Sequence, residues 1–320
     1  SLAVQKLKNL WKNEYLQTAL TVALILIIVF GLYFGTQAAL GSEYPALAVA
    51  SGSMLPTLNI GDLIIVQKIN PAEINVGKLH GDILVFRNPK RPGELIVHRA
   101  IKIQPAGNYF MITTAGDASG GESDGFSPWN SSLLIGKVIA RIPAIGNLPL
   151  LLHSEGNTYI LFLALLVILI ILTLPFGTRE KEKPLKEEQK IKEKMVFSKI
   201  SSRLFYYIII NIILLGLIIF SLWGSLPIWQ PGATPQQATI YGMLSDVQFH
   251  KSFSMGEVYL SQGFLTYQIN YEVEGGLRQG VPTFSWFQLF LIILVIYNTW
   301  ELYNFLKMWK EINKEKEADV

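Results

Sequence analysis

The chain contains 320 residues, of which 50% are hydrophobic and 16% are charged, and its mean hydropathy is +0.35. This balance is too apolar for an ordinary soluble domain and indicates a membrane protein. The absence of cysteine excludes disulfides, cysteine-ligated metals and a thiol nucleophile, and a net charge of only +3 gives no indication of nucleic-acid binding.

Four long apolar runs divide the chain, at residues 15–34, 158–176, 204–223 and 284–306. At about 1.5 Å per helical residue, each run is long enough to cross a bilayer core of about 30 Å. The first run lacks a small-x-small cleavage site directly after a short apolar core, so we interpret it as a retained anchor rather than a cleaved leader. The sequence therefore predicts about four transmembrane helices.

The positive charges predict the orientation of these helices. Three short segments, residues 1–14, 177–203 and 307–320, contain 16 of the 27 lysines and arginines. The two longer segments, residues 35–157 and 224–283, contain the other 11. Because short cytoplasmic segments carry an excess of Lys and Arg, we expect a multi-pass protein of the cell membrane with both termini in the cytoplasm.

The expected segments, in chain order, are a cytoplasmic N-terminus (1–14), a first span (15–34), an extracytoplasmic β-rich domain (35–157), a second span (158–176), a basic cytoplasmic loop (177–203), a third span (204–223), an extracytoplasmic β-rich accessory segment (224–283), a fourth span (284–306) and a cytoplasmic tail (307–320).

The first extracytoplasmic segment has the pattern of short strands. Runs rich in β-branched and aromatic residues, such as LIIV and ILVF, follow Gly-Asp pairs, and clusters of Gly, Pro and Asn separate the runs. Five or six such strands predict a small antiparallel sheet or barrel. The expected fold class is therefore a membrane protein with a mainly-β extracytoplasmic domain.

Three places in this segment carry side chains suited to catalysis. Ser51 and Ser53 lie in the turn AVASGSMLPTL, His98 lies within a strand, and Asp117 and Asp124 lie in a Gly/Ser-rich loop. A serine, a histidine and a carboxylate are the parts of a nucleophile, a base and an orienting acid. Each also has a structural interpretation, because serines in Gly/Pro turns, single strand histidines and loop carboxylates are common without catalysis.

The order of these motifs resembles that of type I signal peptidases. The matching stretches are SGSMLPTL, GDLIIV, GDILVFRNP, VHRAI, AGDASGGESDG and LIGKVIARIPAIG, all between residues 48 and 146. The resemblance implies that Ser53 is the nucleophile and that His98 stands where bacterial members carry a lysine base, as in the archaeal and endoplasmic-reticulum branch. The family's Gly-Asp-Asn box is Gly-Asp-Ala here, at residues 116–118, and its second carboxylate corresponds to Asp124.

The resemblance implies a membrane-bound serine endopeptidase that removes N-terminal signal peptides from secreted and membrane pre-proteins on the outer face of the membrane. Asp124 is expected to orient His98, and Asp117 to support that carboxylate or its loop. The Ser53 amide and the Ser51 hydroxyl are expected to stabilise the oxyanion. No metal or organic cofactor is expected. The expected partners are signal-peptide-bearing pre-proteins, the lipid bilayer and the protein translocation machinery, but not nucleic acid.

The second half of the chain is less informative. Its accessory segment alternates apolar and polar residues in runs such as LTYQINYEV and predicts a small β element. We interpret this element either as a structural extension without chemistry or as an accessory surface for substrate or partner. For the whole chain, the alternative to a peptidase is a non-catalytic, membrane-tethered β-domain that binds or assembles partner proteins.

Overall fold

The computed structural model describes residues 14–152, 188–229 and 236–318. The helices are α1 (Glu14–Leu40), α2 (Asn147–Leu152), α3 (Glu188–Trp223), α4 (Met243–Lys251) and α5 (Trp286–Ala318). The strands are β1 (Ala46–Ala48), β2 (Leu63–Gln67), β3 (Ile83–Arg87), β4 (Leu95–Ala106), β5 (Tyr109–Ala115), β6 (Trp129–Asn130), β7 (Leu134–Ile142), β8 (Ser225–Trp229), β9 (Gln237–Tyr241), β10 (Val258–Gly263), β11 (Thr266–Val273), β12 (Gly276–Arg278) and β13 (Thr283–Phe284).

In the described residues, eleven strands form one sheet along the path β10-β11-β13-β7-β3-β4-β5-β6, while β8 and β9 form a separate hairpin. Off the path, β2 connects β1 to β7, and β12 pairs with β11. The pairing of β13 with β7 is parallel, whereas β7 pairs antiparallel with β2 and β3. The expectation of a mainly-β domain is confirmed.

Strand β3 runs through the centre of this domain. Ile83, Leu84, Val85 and Phe86 are all buried, although successive side chains point to opposite faces of a strand. Ile83 and Val85 enter one apolar cluster, and Leu84 and Phe86 enter another that contains Trp129. Because both faces are buried, a shift of one residue in the register of β3 would exchange the two sets of side chains. The core therefore fixes the strands that carry the site.

The accessory segment extends the main sheet. At its end, Thr283 of β13 pairs with Arg141 of β7, and β11 pairs with β13. It also contains α4, a helix that the sequence pattern does not predict. The buried residues of α4 are Met243, Asp246 and His250, whose spacing of three and four residues marks one helix face. Two of the three are polar, so hydropathy does not reveal this face.

A buried ionic network joins the two halves of the domain. Arg141 donates to Asp62 Oδ2 at 2.9 Å and to Asp246 of α4, and the Tyr267 hydroxyl donates to Asp246 at 3.0 Å. Burial opposes the ionisation of Asp246, but the Arg141 guanidinium and His250 outweigh it and hold the pKa of Asp246 below its usual value. For Asp62 burial is the larger effect and raises the pKa.

Two helices in the described part of the chain contain stretches long and apolar enough to cross a membrane. These stretches are Arg203–Trp223 in α3 and Trp286–Lys310 in α5. The first predicted span lies within α1, whose apolar stretch Gln17–Ile28 is shorter. The predicted span at 158–176 lies outside the described residues. Membrane association fits these helices, and the number of about four spans stays a prediction.

Candidate active site

Ser53 lies in a short 3₁₀ turn, Gly52–Met54, that follows β1. Met54 is 1% exposed and packs into the apolar cluster that contains Val85. Because Met54 anchors the turn in the core, Ser53 stays half-buried at the wall of a cavity. Its Oγ lies 3.4 Å from Oγ of Ser51, which is the one side-chain hydrogen bond of Ser53 within the described chain.

His98 lies on β4, opposite Leu84 of β3. Its Nδ1 atom is 2.8 Å from Oδ2 of Asp124, and the two side chains are only 12% and 8% exposed. An ionised carboxylate only accepts hydrogen bonds, so Nδ1 carries the hydrogen in this pair. The neutral imidazole then keeps a lone pair on Nε2.

Asp124 is held by the last residues of β5. Thr114 Oγ1 donates to Asp124 Oδ2 at 2.6 Å, and the amide of Asp124 donates to the carbonyl oxygen of Thr114 at 2.9 Å. Trp129 Nε1 donates to Thr114 Oγ1 at 3.1 Å. The threonine hydroxyl has a single hydrogen, so the indole contact on its oxygen leaves that hydrogen directed at the carboxylate.

Gly116 lies between the Ser53 turn and the ring of His98. A Cβ atom at this position would be 2.6 Å from the carbonyl oxygen of Ser53 and 3.3 Å from Nε2 of His98. The backbone of Gly116 has φ −70° and ψ 140°, which other residues also adopt. Glycine is therefore needed here for space rather than for an unusual backbone conformation, and it permits the close approach of these two elements.

A cavity of about 540 Å³ is lined by both Ser53 and His98. Ala48 and Ser51 also line it, together with residues 95–98 of β4. Strand β5 pairs with β4 only from Arg99 onward, so the first part of β4 borders the cavity. Strand edges left unpaired in this way bind extended peptides through their main-chain groups.

Asp117 lies directly after Gly116 but has different partners. Arg99 Nε and Nη2 donate to its two carboxylate oxygens at 2.8 Å and 2.7 Å, and Thr57 Oγ1 donates to Oδ2 at 2.5 Å. Arg99 and Asp117 are 3% and 6% exposed. The carboxylate is thus engaged in a buried ion pair.

Comparisons with known proteins bear on the family of this chain. The family model described as "Signal peptidase, peptidase S26" matches residues 15–119. The signal peptidase complex catalytic subunit SEC11 of Sclerotinia sclerotiorum is 30% identical over 158 residues, which are 48% of this chain and 90% of the relative. This chain belongs to the signal peptidase family. The SEC11 subunit of Pyricularia oryzae is 29% identical over 159 residues, which are 48% of this chain and 90% of the relative. The SEC11 subunit of Tuber melanosporum is also 29% identical, over 181 residues, which are 53% of this chain and 97% of the relative.

These matches confirm the resemblance to type I signal peptidases, and the SEC11 relatives confirm the expected archaeal and endoplasmic-reticulum branch. The chain is therefore a signal peptidase, and cleavage of signal peptides is its activity. Family membership also favours an enzyme over the alternative of a non-catalytic β-domain.

The structure of this signal peptidase brings most of the expected site residues together. Ser51, Ser53 and His98 line one cavity, and Asp124 is bonded to His98. Asp117 is paired with Arg99 instead, and of its two expected roles its contacts fit support of the loop. The catalytic roles of these residues stay predictions.

Sequence reasoning missed the residues that hold the acids in place. Thr114 and Trp129 support Asp124, while Tyr271 and Arg278 of the accessory segment reach the surroundings of Asp117. A weak signal was present for Trp129, which is the single tryptophan between residues 35 and 157. Nothing in the local pattern marks Tyr271 or Arg278, because their partners lie more than 150 positions earlier in the chain.

Proposed function

We propose that this signal peptidase cleaves pre-proteins on the outer face of the membrane, with Ser53 as nucleophile and His98 as general base. The observation that carries this proposal is the 2.8 Å contact between His98 Nδ1 and Asp124, on a histidine that shares its cavity with Ser53. This is the arrangement that activates a serine hydroxyl in serine hydrolases.

The reaction proceeds through an acyl-enzyme. Ser53 Oγ bonds to the scissile carbonyl carbon while its proton passes to Nε2 of His98. The carbon–nitrogen bond then breaks, and the imidazolium returns this proton to the leaving amine. Water attacks the ester in a second round of the same proton transfer. Throughout, Asp124 holds the tautomer of His98 and stabilises the imidazolium, which supports a general-base contribution of about 10²–10⁴-fold.

Oxyanion stabilisation is assigned to the amide of Ser53 and the hydroxyl of Ser51. The Ser51 hydroxyl is 3.4 Å from Ser53 Oγ, so a small rotation brings it towards an oxygen on the attacked carbon. Each such donor contributes roughly 3 kcal/mol to transition-state stabilisation. The substrate lies extended in the cavity, where Ala48 leaves room for small side chains beside the cleaved bond.

The proposed orientation puts this site near the outer leaflet. Helix α1 ends at Leu40 just before β1, α3 ends at Trp223 just before β8, and α5 begins at Trp286 just after β13. The β domain thus lies at one end of all three helices. In the sequence, the basic residues adjoin the opposite ends, because they precede the apolar stretches of α1 and α3 and follow that of α5. The positive-inside rule then puts the β domain outside and both termini in the cytoplasm.

Cleavage of a secretory precursor by the detergent-solubilised protein tests the mechanism. We expect Ser53→Ala to abolish cleavage, and Ser261→Ala, at an exposed serine on β10, to leave it unchanged. Full cleavage by Ser53→Ala would refute the assignment of the nucleophile.

The orientation has an independent test, because the chain contains no cysteine. Single-cysteine variants Ser261→Cys and Lys316→Cys are expressed in intact cells and treated with a membrane-impermeant maleimide. We expect labelling at position 261 in intact cells, and at position 316 only after permeabilisation. The opposite pattern would reverse the orientation.

A further inference from the structure

Behind the candidate site lies a buried cluster that the proposed mechanism does not use. We call it the brace, and its side chains are Thr57, Arg99, Asp117, Tyr271 and Arg278. Thr57, Arg99 and Asp117 belong to the peptidase part of the chain, and each is a near neighbour in sequence of Ser53, His98 or Gly116. Tyr271 and Arg278 belong to the accessory segment, on β11 and β12.

We propose that Tyr271 and Arg278 are positioning residues for peptide-bond cleavage, through which the accessory segment holds the Ser53 turn and the Gly116 turn in register. The proposal rests on the function proposed above. It assigns the accessory segment a role in the geometry of the site, beyond extending the sheet.

Arg278 acts on the turn that contains Asp117. Its Nη1 donates to the carbonyl oxygen of Asp117 at 3.0 Å and lies 3.9 Å from the carboxylate. The next residue, Gln279, accepts a hydrogen bond from Arg99 Nη2 at 3.1 Å and donates its amide to the carbonyl oxygen of Leu79 at 2.9 Å. The accessory segment therefore contacts both members of the Arg99–Asp117 ion pair.

Tyr271 acts on the turn that follows Ser53. Its hydroxyl is 3.0 Å from Oγ1 of Thr57, whose own hydrogen is donated to Asp117. The tyrosine must then be the donor, because a hydroxyl has only one hydrogen. Burial raises the pKa of Tyr271, and the charge of Asp117 adds to this effect, so the phenol keeps the proton that it donates.

The brace reaches the reacting groups through backbone contacts. Side chains alternate along a strand, so Arg99 binds Asp117 on one face of β4 while His98 lies on the other. The Gly116 backbone lies against the Ser53 carbonyl oxygen, close enough that a Cβ would be 2.6 Å away. A displacement of Asp117 therefore moves the adjoining Gly116 backbone, which packs against both Ser53 and His98.

The hydrogen bonding of Arg278 also indicates that this side chain acts specifically on Asp117. The residue is 6% exposed, and its Nε atom has no hydrogen-bond partner within the described chain. An apolar side chain of similar length would fill this space without burying an unpaired N–H group. The two contacts that Nη1 makes with Asp117 explain why an arginine occupies this position.

The test measures kcat and KM for precursor cleavage by the full chain in detergent. Arg278→Met keeps the packing volume and removes the donors, and we expect kcat to fall about 10- to 100-fold with little change in KM. Arg278→Lys keeps the positive charge and one donor nitrogen, and it restores part of kcat. Tyr271→Phe removes one hydroxyl and lowers kcat about 3- to 10-fold. The matched control is Tyr259→Phe, at an exposed tyrosine on β10, which keeps the wild-type kcat.

Folding is followed in the same samples by size-exclusion elution and thermal unfolding. Folded Arg278→Met and Tyr271→Phe with wild-type kcat would overturn the proposal and leave a purely structural role. If Arg278→Met does not fold, Tyr271→Phe decides alone, since it removes a single oxygen atom. If the Ser53→Ala variant cleaved the precursor at the wild-type rate, the proposed function would be refuted instead. Failure of the positioning proposal and failure of the proposed function are therefore distinguishable.

Discussion

Thr114 donates a 2.6 Å hydrogen bond to Asp124 Oδ2, the same oxygen that His98 Nδ1 approaches. Thr114 is completely buried, and it receives the indole hydrogen of Trp129. The orientation of the proposed catalytic imidazole thus depends on a threonine that lies on a neighbouring strand of the sheet.

Replacing Thr114 by valine removes this hydrogen bond at nearly constant volume. We expect Thr114→Val to lower kcat about tenfold. A hydrogen bond to a charged group contributes about 1.5–3 kcal/mol, and part of this energy is lost from the stabilisation of the His98 imidazolium by Asp124. Thr113→Val is the matched control, because the adjacent side chain points to the other face of β5. Equal activity of the two variants in precursor cleavage would contradict the role of Thr114.

A methyl group at Gly116 is expected to separate the proposed nucleophile from its base. Gly116→Ala places a Cβ against the Ser53 carbonyl oxygen and His98 Nε2, and a misplacement of about 1 Å lowers turnover about 10²-fold. Gly125→Ala, in the same loop, has no atom within 4 Å of the new Cβ and is the control. The comparison is made by kcat in precursor cleavage, and an active Gly116→Ala would show that the turns have room to part.

The two acids are expected to respond differently to loss of charge. Asp124→Asn lowers turnover about 10²–10⁴-fold, because the imidazole loses the partner that selects its tautomer. Asp117→Asn lowers the free energy of unfolding by about 3–5 kcal/mol, because it leaves Arg99 buried without its carboxylate, and it lowers turnover less than Asp124→Asn does, because Asp117 acts on the site only through the brace. Turnover and thermal unfolding are measured for both, and the reverse pattern would exchange the two roles.

Arg141→Met tests the ionic network between the two halves of the domain. The variant leaves Asp62 and Asp246 buried without their common cation, and we expect the free energy of unfolding to fall by about 3–5 kcal/mol near neutral pH. Arg87→Met, which removes an exposed pair with Glu43, is the control and changes stability little. Thermal unfolding in detergent, followed by tryptophan fluorescence, measures both.

The difference in the free energy of unfolding between the wild type and Arg141→Met is expected to become smaller in acid. In the wild type the pKa of Asp246 lies below its usual value, so its stabilising contribution is present above the unfolded-state pKa of about 3.9 and is lost as the pH falls through the folded-state value. In Arg141→Met the unpaired carboxylates bind protons more readily when folded, so acid relieves their destabilising effect. A difference that grows from neutral pH towards pH 4 would contradict this account.

The amino-acid sequence alone was sufficient to indicate the family, the mainly-β domain and the residues proposed to react. Ser53, His98 and Asp124 lie in short stretches whose order along the chain is specific, and the strands are short runs rich in β-branched and aromatic residues. The uneven distribution of Lys and Arg also predicts the orientation without any structure. These properties are local or additive along the chain, so they can be read directly.

Only the tertiary structure decided what holds these residues in place. The hydrogen bond between Thr57 and Tyr271 joins positions 214 apart, and the parallel contact of β13 with β7 depends on the register of the sheet. The face of α4 that binds Arg141 contains Asp246 and His250, so its hydropathy conceals its burial. Contacts between polar groups distant in sequence depend on how strands pair and pack, and no local pattern of residues records that pairing.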